Sequence, residues 1–461
     1  MVWGPHATRG GRGGRAVAHL NRVLSFGDLL LLAAASIGPA FSLATTFGPM
    51  EAAGGSATPL ALLLVTLIMV CVALAYRRLG ARYPNAGSAY TWVRIAFGAH
   101  AGAYAAWVLI VANLFAIVAT ALPAGIYTLA LLGFLVPGIA STPLADGLVG
   151  AAWVLGAGTL LYRGLRPTSR LANALAIAEL IVLAVAAGAA LLHAPVRDAV
   201  TAAPPPAAGG LVGAIAIGIW MIDGWEVSAS TAEEAYHAET APGAGGLAGL
   251  LLTAAVLWLC MSAFLRVGTP GGFAGNEGDA MAYVGAAIGG GPWRIAITAT
   301  VLVSLAAALQ TTLVYLTRSF FAMGRDGVLP QRFGALDARE QPAFAIVLLT
   351  AVGVAGLVAS AFFPSVRAAF DFILSGATVF LGVLFMLSAA AAVRIFAHAR
   401  GGTWRDGVVL PALAILALAA VLAVSVAQGD RPTQLFLLAT ALAGFGFAWW
   451  RAPGRSSAPQ L

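Results

Sequence analysis

Lysine is missing altogether from the 461 residues, and all 25 basic side chains are arginine. Without lysine no Gly-x-x-x-x-Gly-Lys-Ser/Thr phosphate loop can form, so ATP-driven work by this chain alone is set aside. Charge is scarce as well. Charged residues make up 9% of the chain, against about 25% in a soluble domain. So few charges, beside 60% apolar residues, cannot cover a water-soluble surface. That excludes a soluble enzyme, a nucleic-acid module and a disordered chain. Cysteine is rare: Cys71 and Cys260 each lie inside an apolar run, so neither a disulfide framework nor a metal cluster is expected. The six histidines (His6, His19, His100, His193, His237 and His398) are too scattered for the clustered catalytic groups of a membrane enzyme. No enzymatic activity and no cofactor are expected.

What the chain does have is long apolar sequence. A bilayer core of about 30 Å needs about 20 apolar residues per helix. Twelve stretches qualify, near residues 26–47, 58–76, 99–122, 147–162, 171–192, 209–231, 245–264, 294–316, 343–363, 369–392, 407–427 and 433–450. They are continuous and Leu/Ala-rich, without period-two alternation, which points to helices and not to a barrel. The expected fold is an all-α polytopic membrane protein with about twelve transmembrane helices.

The stretch Pro123–Ala140 is apolar enough to form a thirteenth span, and arginine placement decides against it, because cytoplasmic loops collect arginine. With twelve spans and the N-terminus inside, all arginines but Arg197, Arg266, Arg294, Arg367 and Arg431 fall on the cytoplasmic side. A thirteenth span leaves the two sides nearly balanced. Both termini are therefore expected in the cytoplasm, across the plasma membrane, and the net charge of +7 is a topology signal, not a nucleic-acid footprint. Residues 1–25, rich in Gly and Arg, read as a cytoplasmic tail, and residues 193–208, with Pro204, Pro205 and Pro206, as an external loop.

The first and sixth spans are each interrupted by glycine: Ser36-Ile37-Gly38-Pro39 in one, Asp223-Gly224 in the other. An offset of five spans makes the two broken helices run in opposite directions. A five-plus-five inverted repeat follows, with helices 1–5 over residues 26–192 and helices 6–10 over 209–400. Helices 11 and 12 and the C-terminus occupy 401–461. Broken helices at matched positions of two halves point to a transporter binding site.

Local chemistry supports that reading. Pro39 lacks an N–H and suits the first position of a new helix. The half-helix that starts there presents the N–H groups of Ala40 and Phe41, which favour an anion such as a substrate carboxylate. Carbonyls of Ala35, Ser36, Met221 and Ile222 offer acceptors for an ammonium. Both ends of an amino acid are thereby matched. Asp223 and Glu226 are ionisable groups at mid-membrane depth, where charge is costly and functional by default; Asp223 can also cap the inner half of span six. Trp220 and Trp225 flank that break and are placed either to cover an apolar side chain or to pack.

Four segments, taken together, resemble the amino acid–polyamine–organocation transporter superfamily. They are Ser36-Ile37-Gly38-Pro39-Ala40-Phe41-Ser42 in the first span; Arg82-Tyr83-Pro84-Asn85-Ala86-Gly87-Ser88-Ala89-Tyr90 after the second; Asp223-Gly224-Trp225-Glu226 with Thr231-Ala232-Glu233-Glu234; and Arg318 through Pro330, with its Asp326-Gly327-Val328-Leu329-Pro330 ending. The resemblance covers roughly residues 26–400. It implies secondary amino-acid transport by alternating access, with Glu226 as a gate carboxylate on the substrate path and the segments around Tyr83–Phe97 and Arg318–Pro330 as inner-gate elements. It also implies a coupling position on the fifth span, near which some proton-coupled members carry a lysine and this chain has Glu179. Burial penalises the charged form of a carboxylate, so Glu179 is a candidate proton carrier. Sodium, ligated by Thr311 and Thr312 of span eight with carbonyls of span one, is the alternative, as is exchange of amino acids or polyamines. The facilitator fold of six plus six spans would require an aspartate in Tyr76-Arg77-Arg78-Leu79-Gly80-Ala81-Arg82, which has none. No repeated pore loop of a channel is visible. The expected partners are a small amino-acid substrate, a proton or sodium ion, and the lipid bilayer, with no nucleic acid.

Overall fold

The computed structural model describes residues 20–136, 138–139, 141–193, 208–269, 272–273, 275–276, 279–363 and 365–451. Regular structure there is helical, apart from one parallel bridge between Leu24 and Ala235. In chain order the helices are α1 (Phe26–Ile37), α2 (Pro39–Gly54), α3 (Thr58–Arg82), α4 (Ser88–Phe97), α5 (Ala99–Leu135), α6 (Pro143–Tyr162), α7 (Leu165–His193), α8 (Ala208–Met221) and α9 (Val227–Ser230). They continue as α10 (Ala241–Val267), α11 (Ala280–Gly289), α12 (Gly291–Arg325), α13 (Ala343–Ser360), α14 (Val366–Phe396), the single turn α15 (Gly401–Trp404), α16 (Leu410–Gln428) and α17 (Arg431–Arg451).

Among the described residues, ten helical stretches are long and apolar enough to cross a membrane. Helices prevail because lipid offers no partner for a bare peptide group, so each N–H must be met within its own segment. Exposed Leu63, Leu67, Val185, Leu251, Val347 and Leu416 give the bundle an apolar exterior suited to lipid. Helix starts carry the expected caps: Ser25 and Asp28 form a reciprocal capping box on α1, and Thr142 caps α6 just before Pro143. Helix α5 runs unbroken through Pro123 to Leu135. The candidate thirteenth span is, as far as Leu135, a continuation of the third. A proline is tolerated there because neighbouring helices and local adjustment meet the freed backbone carbonyl.

The two broken helices sit at the centre. Helix α1 packs on α7, α10 and α12, α2 packs on α8, and α5 packs on α6, α12 and α14. Small residues permit this closeness: a Cβ on Gly249 of α10 would lie 2.6 Å from the Leu30 carbonyl oxygen of α1.

Part of the N-terminal tail is not free. Val23 and Leu24 donate backbone N–H groups to the Glu234 carbonyl at 2.7 and 3.0 Å, Tyr236 N–H returns to the Leu24 carbonyl at 2.9 Å, and Leu24 is fully buried. The short segment after α9 offers unpaired peptide groups, and the residues before Ser25 supply their partners. Residues 1–19, most of the 193–208 loop (194–207) and residues 452–461 lie outside the described residues.

Candidate functional site

Gly38 ends α1 and starts α2 in the left-handed region (φ 58°, ψ 68°), with Pro39 at the first position of α2. Gly224 breaks the sixth segment at φ 109°; α8 stops at Met221 and α9 resumes at Val227. The two breaks touch. A Cβ on Gly224 would lie 2.8 Å from the carbonyl carbon and oxygen of Ser36, so only glycine fits at this contact.

Between the breaks lies a cavity of about 30 Å³, room for about two water molecules. Ser36, Ile37, Phe41 and Ser42 line it from the first segment, and Trp220, Asp223, Gly224 and Glu226 from the sixth. Asn113, Ala116 and Thr120 of α5 and Thr312 and Tyr315 of α12 complete the wall. Two carboxylates thus face one small space. Glu226 Oε2 accepts the Gly224 N–H at 3.1 Å. Asp223 Oδ1 has no hydrogen-bond partner, so the capping role open to Asp223 from sequence is not formed through this oxygen. Trp220 Nε1 and Tyr315 OH, both in nearly buried side chains, are likewise unpartnered.

The N–H groups at the start of α2 are engaged differently from expectation. Ala40 N–H donates to Glu179 Oε2 at 3.3 Å, and Phe41 N–H donates to Ser304 Oγ at 3.1 Å. The group met by this helix N-terminus is therefore the side-chain carboxyl of Glu179. Glu179 is fully buried at the middle of α7, and its Oε1 lacks a partner. Ser304 of α12 stands beside it.

Other singled-out residues fall away from the cavity. A Cβ on Gly38 would point at Ser304 Oγ (3.2 Å) and Ala308 Cβ (3.3 Å) of α12, not into substrate space. Trp225 stacks on Phe385 with ring centroids 5.8 Å apart and meets the edge of Tyr76 at 5.0 Å, the packing alternative raised from sequence. Ile222 is fully buried. Thr311 Oγ1 donates to its own helix, to Ala308 O at 2.9 Å, and Thr312 Oγ1 does the same at 2.8 Å while still lining the cavity. The hydroxyl of α12 that reaches the break is Ser304, two turns earlier. Ser42 belongs to the broken segment quoted from sequence, and Asn113 stands out as a lone amide in an apolar run, whereas Ala116, Thr120, Ser304 and Tyr315 carry no sequence signal.

At one end of the bundle the acidic exit of the sixth segment meets the end of α12. Arg318 makes two hydrogen bonds of 2.9 Å to Glu234, with both side chains almost fully buried, and a third to Gln341. Arg325 holds Glu233 through 2.9 and 2.6 Å contacts, and Glu233 also accepts from Ala86 N–H. Arg94 and Tyr90 of α4 meet Asp326 at 2.6 and 3.0 Å. Desolvation and the neighbouring Asp326 raise the Tyr90 phenol above its ordinary range, so it acts as a donor. These pairs tie the segment after α9, α4 and the end of α12 together.

Two broken helices thus meet at one small cavity whose lining mixes polar and apolar side chains. A family model for amino acid permeases matches residues 24–447, and the chain belongs to that family. It is 29% identical over 367 residues to the branched-chain amino acid permease BcaP of Lactococcus lactis subsp. cremoris, covering 75% of this chain and 77% of that one. It is 26% identical over 338 residues to an uncharacterized transporter of Mycobacterium tuberculosis, covering 73% and 72%. The fold is similar to that of MhsT, solved in complex with L-phenylalanine, at a TM-score of 0.58 and 17% identity, over 89% of this chain and all of that one.

Proposed function

We propose that the protein carries amino acids across the plasma membrane as a secondary transporter, by alternating access around the cavity between Gly38 and Gly224. The contact of the two breaks across that cavity carries the reading. The stretch Phe26–Arg82 is 57 residues long, about 85 Å of helix, enough for two crossings. With α8 and α9 as one broken crossing, the count is twelve. Helices 1–5 and 6–10 form the inverted repeats over 26–192 and 209–400, and the arginine bias puts both termini in the cytoplasm. The Arg318–Glu234 end is then the inner gate, closed here. Ile37, Phe41, Ala116 and Trp220 give the cavity apolar walls suited to an aliphatic side chain, as the name of the Lactococcus relative suggests.

Coupling runs through Glu179, a buried carboxylate with no cation beside it among the described residues. A proton neutralises it directly. Sodium is the better-supported reading, with the hard oxygens of Glu179 Oε1 and Ser304 Oγ beside the unwound carbonyls of the first segment. One experiment decides. Purified protein in proteoliposomes is given a panel of radiolabelled amino acids under a pH gradient, a sodium gradient or neither. Accumulation under one gradient identifies both substrate and ion. Uptake without either, together with counterflow, identifies an exchanger. Absence of uptake and of counterflow for every amino acid overturns the proposal.

A further inference from the structure

The end of the bundle away from the Arg318–Glu234 pair has a polar contact of its own. Helix α12 runs 35 residues from one end to the other, about 50 Å, and the short helix α11 joins it at the far one. There α11 packs on α2, α7, α10 and α12. Its cap is Asp279, whose Oδ1 accepts the Ala282 N–H at 3.0 Å. The same oxygen accepts the hydroxyl of Tyr127 on α5 at 2.7 Å.

These contacts lay α11 across two walls of the cavity. On α5, Tyr127 lies two turns beyond the cavity-lining Thr120, about 10 Å along the helix. On α2, Phe47 lies beyond the cavity-lining Ser42 and packs on Phe273 with ring centroids 4.8 Å apart; Phe273 in turn meets the ring of Tyr283 on α11 at 5.2 Å. Phe47 and Phe273 are almost fully buried. An aromatic stack thus binds α11 to α2, and one hydrogen bond binds it to α5. The two links differ in kind. A hydroxyl–carboxyl bond can be exchanged for bonds to water at small net cost, and Asp279 still caps α11 through Ala282 once Tyr127 lets go. The bond can break without unfolding either helix, as a gate contact must.

We infer that Tyr127 and Asp279 form the gate contact on this side, with α11 as the roof that lifts away from α5 when a ligand enters. The inference rests on the transport reading above and deepens it by naming the second gate. Neither residue lines the cavity, so both act as positioning residues.

The test places one reporter cysteine at Thr120 in a background without Cys71 and Cys260. Its modification by a small charged methanethiosulfonate is followed from each face of the membrane separately. Tyr127→Phe removes the hydroxyl and keeps the ring. It should speed modification about fivefold, the weight of one hydrogen bond, from the face that carries α11 and not from the Arg318–Glu234 face. In transport the same change should lower KM for ligand arriving at that face, because more of the protein is open to it, while Vmax falls because closure is disfavoured. A purely structural defect would lower Vmax and leave KM unchanged. Asp279→Asn keeps an acceptor oxygen for Tyr127 and for the Ala282 N–H, so it should behave as the parent; Asp279→Ala should match Tyr127→Phe. Unchanged modification in both Tyr127→Phe and Asp279→Ala overturns the inference, as does acceleration from the Arg318–Glu234 face. Amino-acid transport by the parent then leaves the transport reading standing. The expected modification pattern in a parent that carries no amino acid upholds the gate and sinks that reading.

Discussion

The Ala40 N–H and the Glu179 carboxylate, 139 residues apart in sequence, meet at 3.3 Å at the midpoint of the bundle. The contact ties the start of α2 to α7. Movement of either helix exposes a carboxylate that is otherwise fully buried, which is the condition for a coupling group. Glu179→Gln keeps the acceptor oxygen and removes the charge. Binding and exchange should persist, while accumulation driven by a gradient disappears. Counterflow and gradient-driven uptake, measured in the same vesicles, separate these two activities. A mutant that still accumulates substrate assigns Glu179 to structure.

The two break glycines should differ in what they tolerate. Gly38→Ala meets a left-handed backbone, the rotatable Ser304 Oγ at 3.2 Å, and the Ala308 Cβ at 3.3 Å, a contact a few tenths of an ångström too tight. Its cost is about 1–2 kcal/mol, with transport reduced but present. Gly224→Ala places a methyl 2.8 Å from the Ser36 backbone, which cannot rotate away. The breaks must then separate, and transport should fall below detection. Uptake rates beside thermal stability in detergent check both. Equal loss in the two variants would contradict the argument from contact.

Breaking the Arg318–Glu234 pair should destabilise the inner-closed state. Glu234→Gln leaves a buried guanidinium with half its partner, at a cost of about 3–5 kcal/mol. R318M/E234M removes both charges and should recover most of that stability. Neither variant should transport normally, because the closed end is held by these groups along with Arg325–Glu233. A cysteine at Ser36 should become more reactive from the cytoplasmic side in both. Unchanged reactivity would make the pair a folding element only.

Much of the architecture was legible because bilayer burial imposes long apolar runs: 58–76, 245–264 and 294–316 lie within α3, α10 and α12, although those helices extend past the runs by up to nine residues. The breaks were legible because Gly-Pro and Asp-Gly weaken a helix and recur at matched positions of the two halves, although Gly48-Pro49 and Asp146-Gly147 lie within α2 and α6. What escaped was the identity of partners. Free N–H groups at Ala40 and Phe41 follow from local geometry, but their acceptors, Glu179 and Ser304, come from α7 and α12, far along the chain. Ala116, Thr120 and Tyr315 look like ordinary helix residues until α5 and α12 pack against the breaks. The short helix α11 and the docking of residues 20–25 are similarly products of packing, without a periodic signal of their own.

Orientation is open to a direct chemical test. Arginine bias places the turn between α6 and α7 in the cytoplasm and the turn between α13 and α14 outside. Arg166 is exposed at the start of α7 beside the first, and Phe362 is 86% exposed in the second. Cys71 and Cys260 must be replaced beforehand, since Cys71 is only half-buried. In that background, Arg166→Cys should react in intact cells only with membrane-permeant maleimides, whereas Phe362→Cys should react with impermeant ones as well. Removing Arg166 does not endanger the topology, because Arg163 and Arg170 remain on the same side. The reverse labelling pattern would invert the protein. The Arg318–Glu234 end would then face outward, and the closed gate of this structure would be the external one.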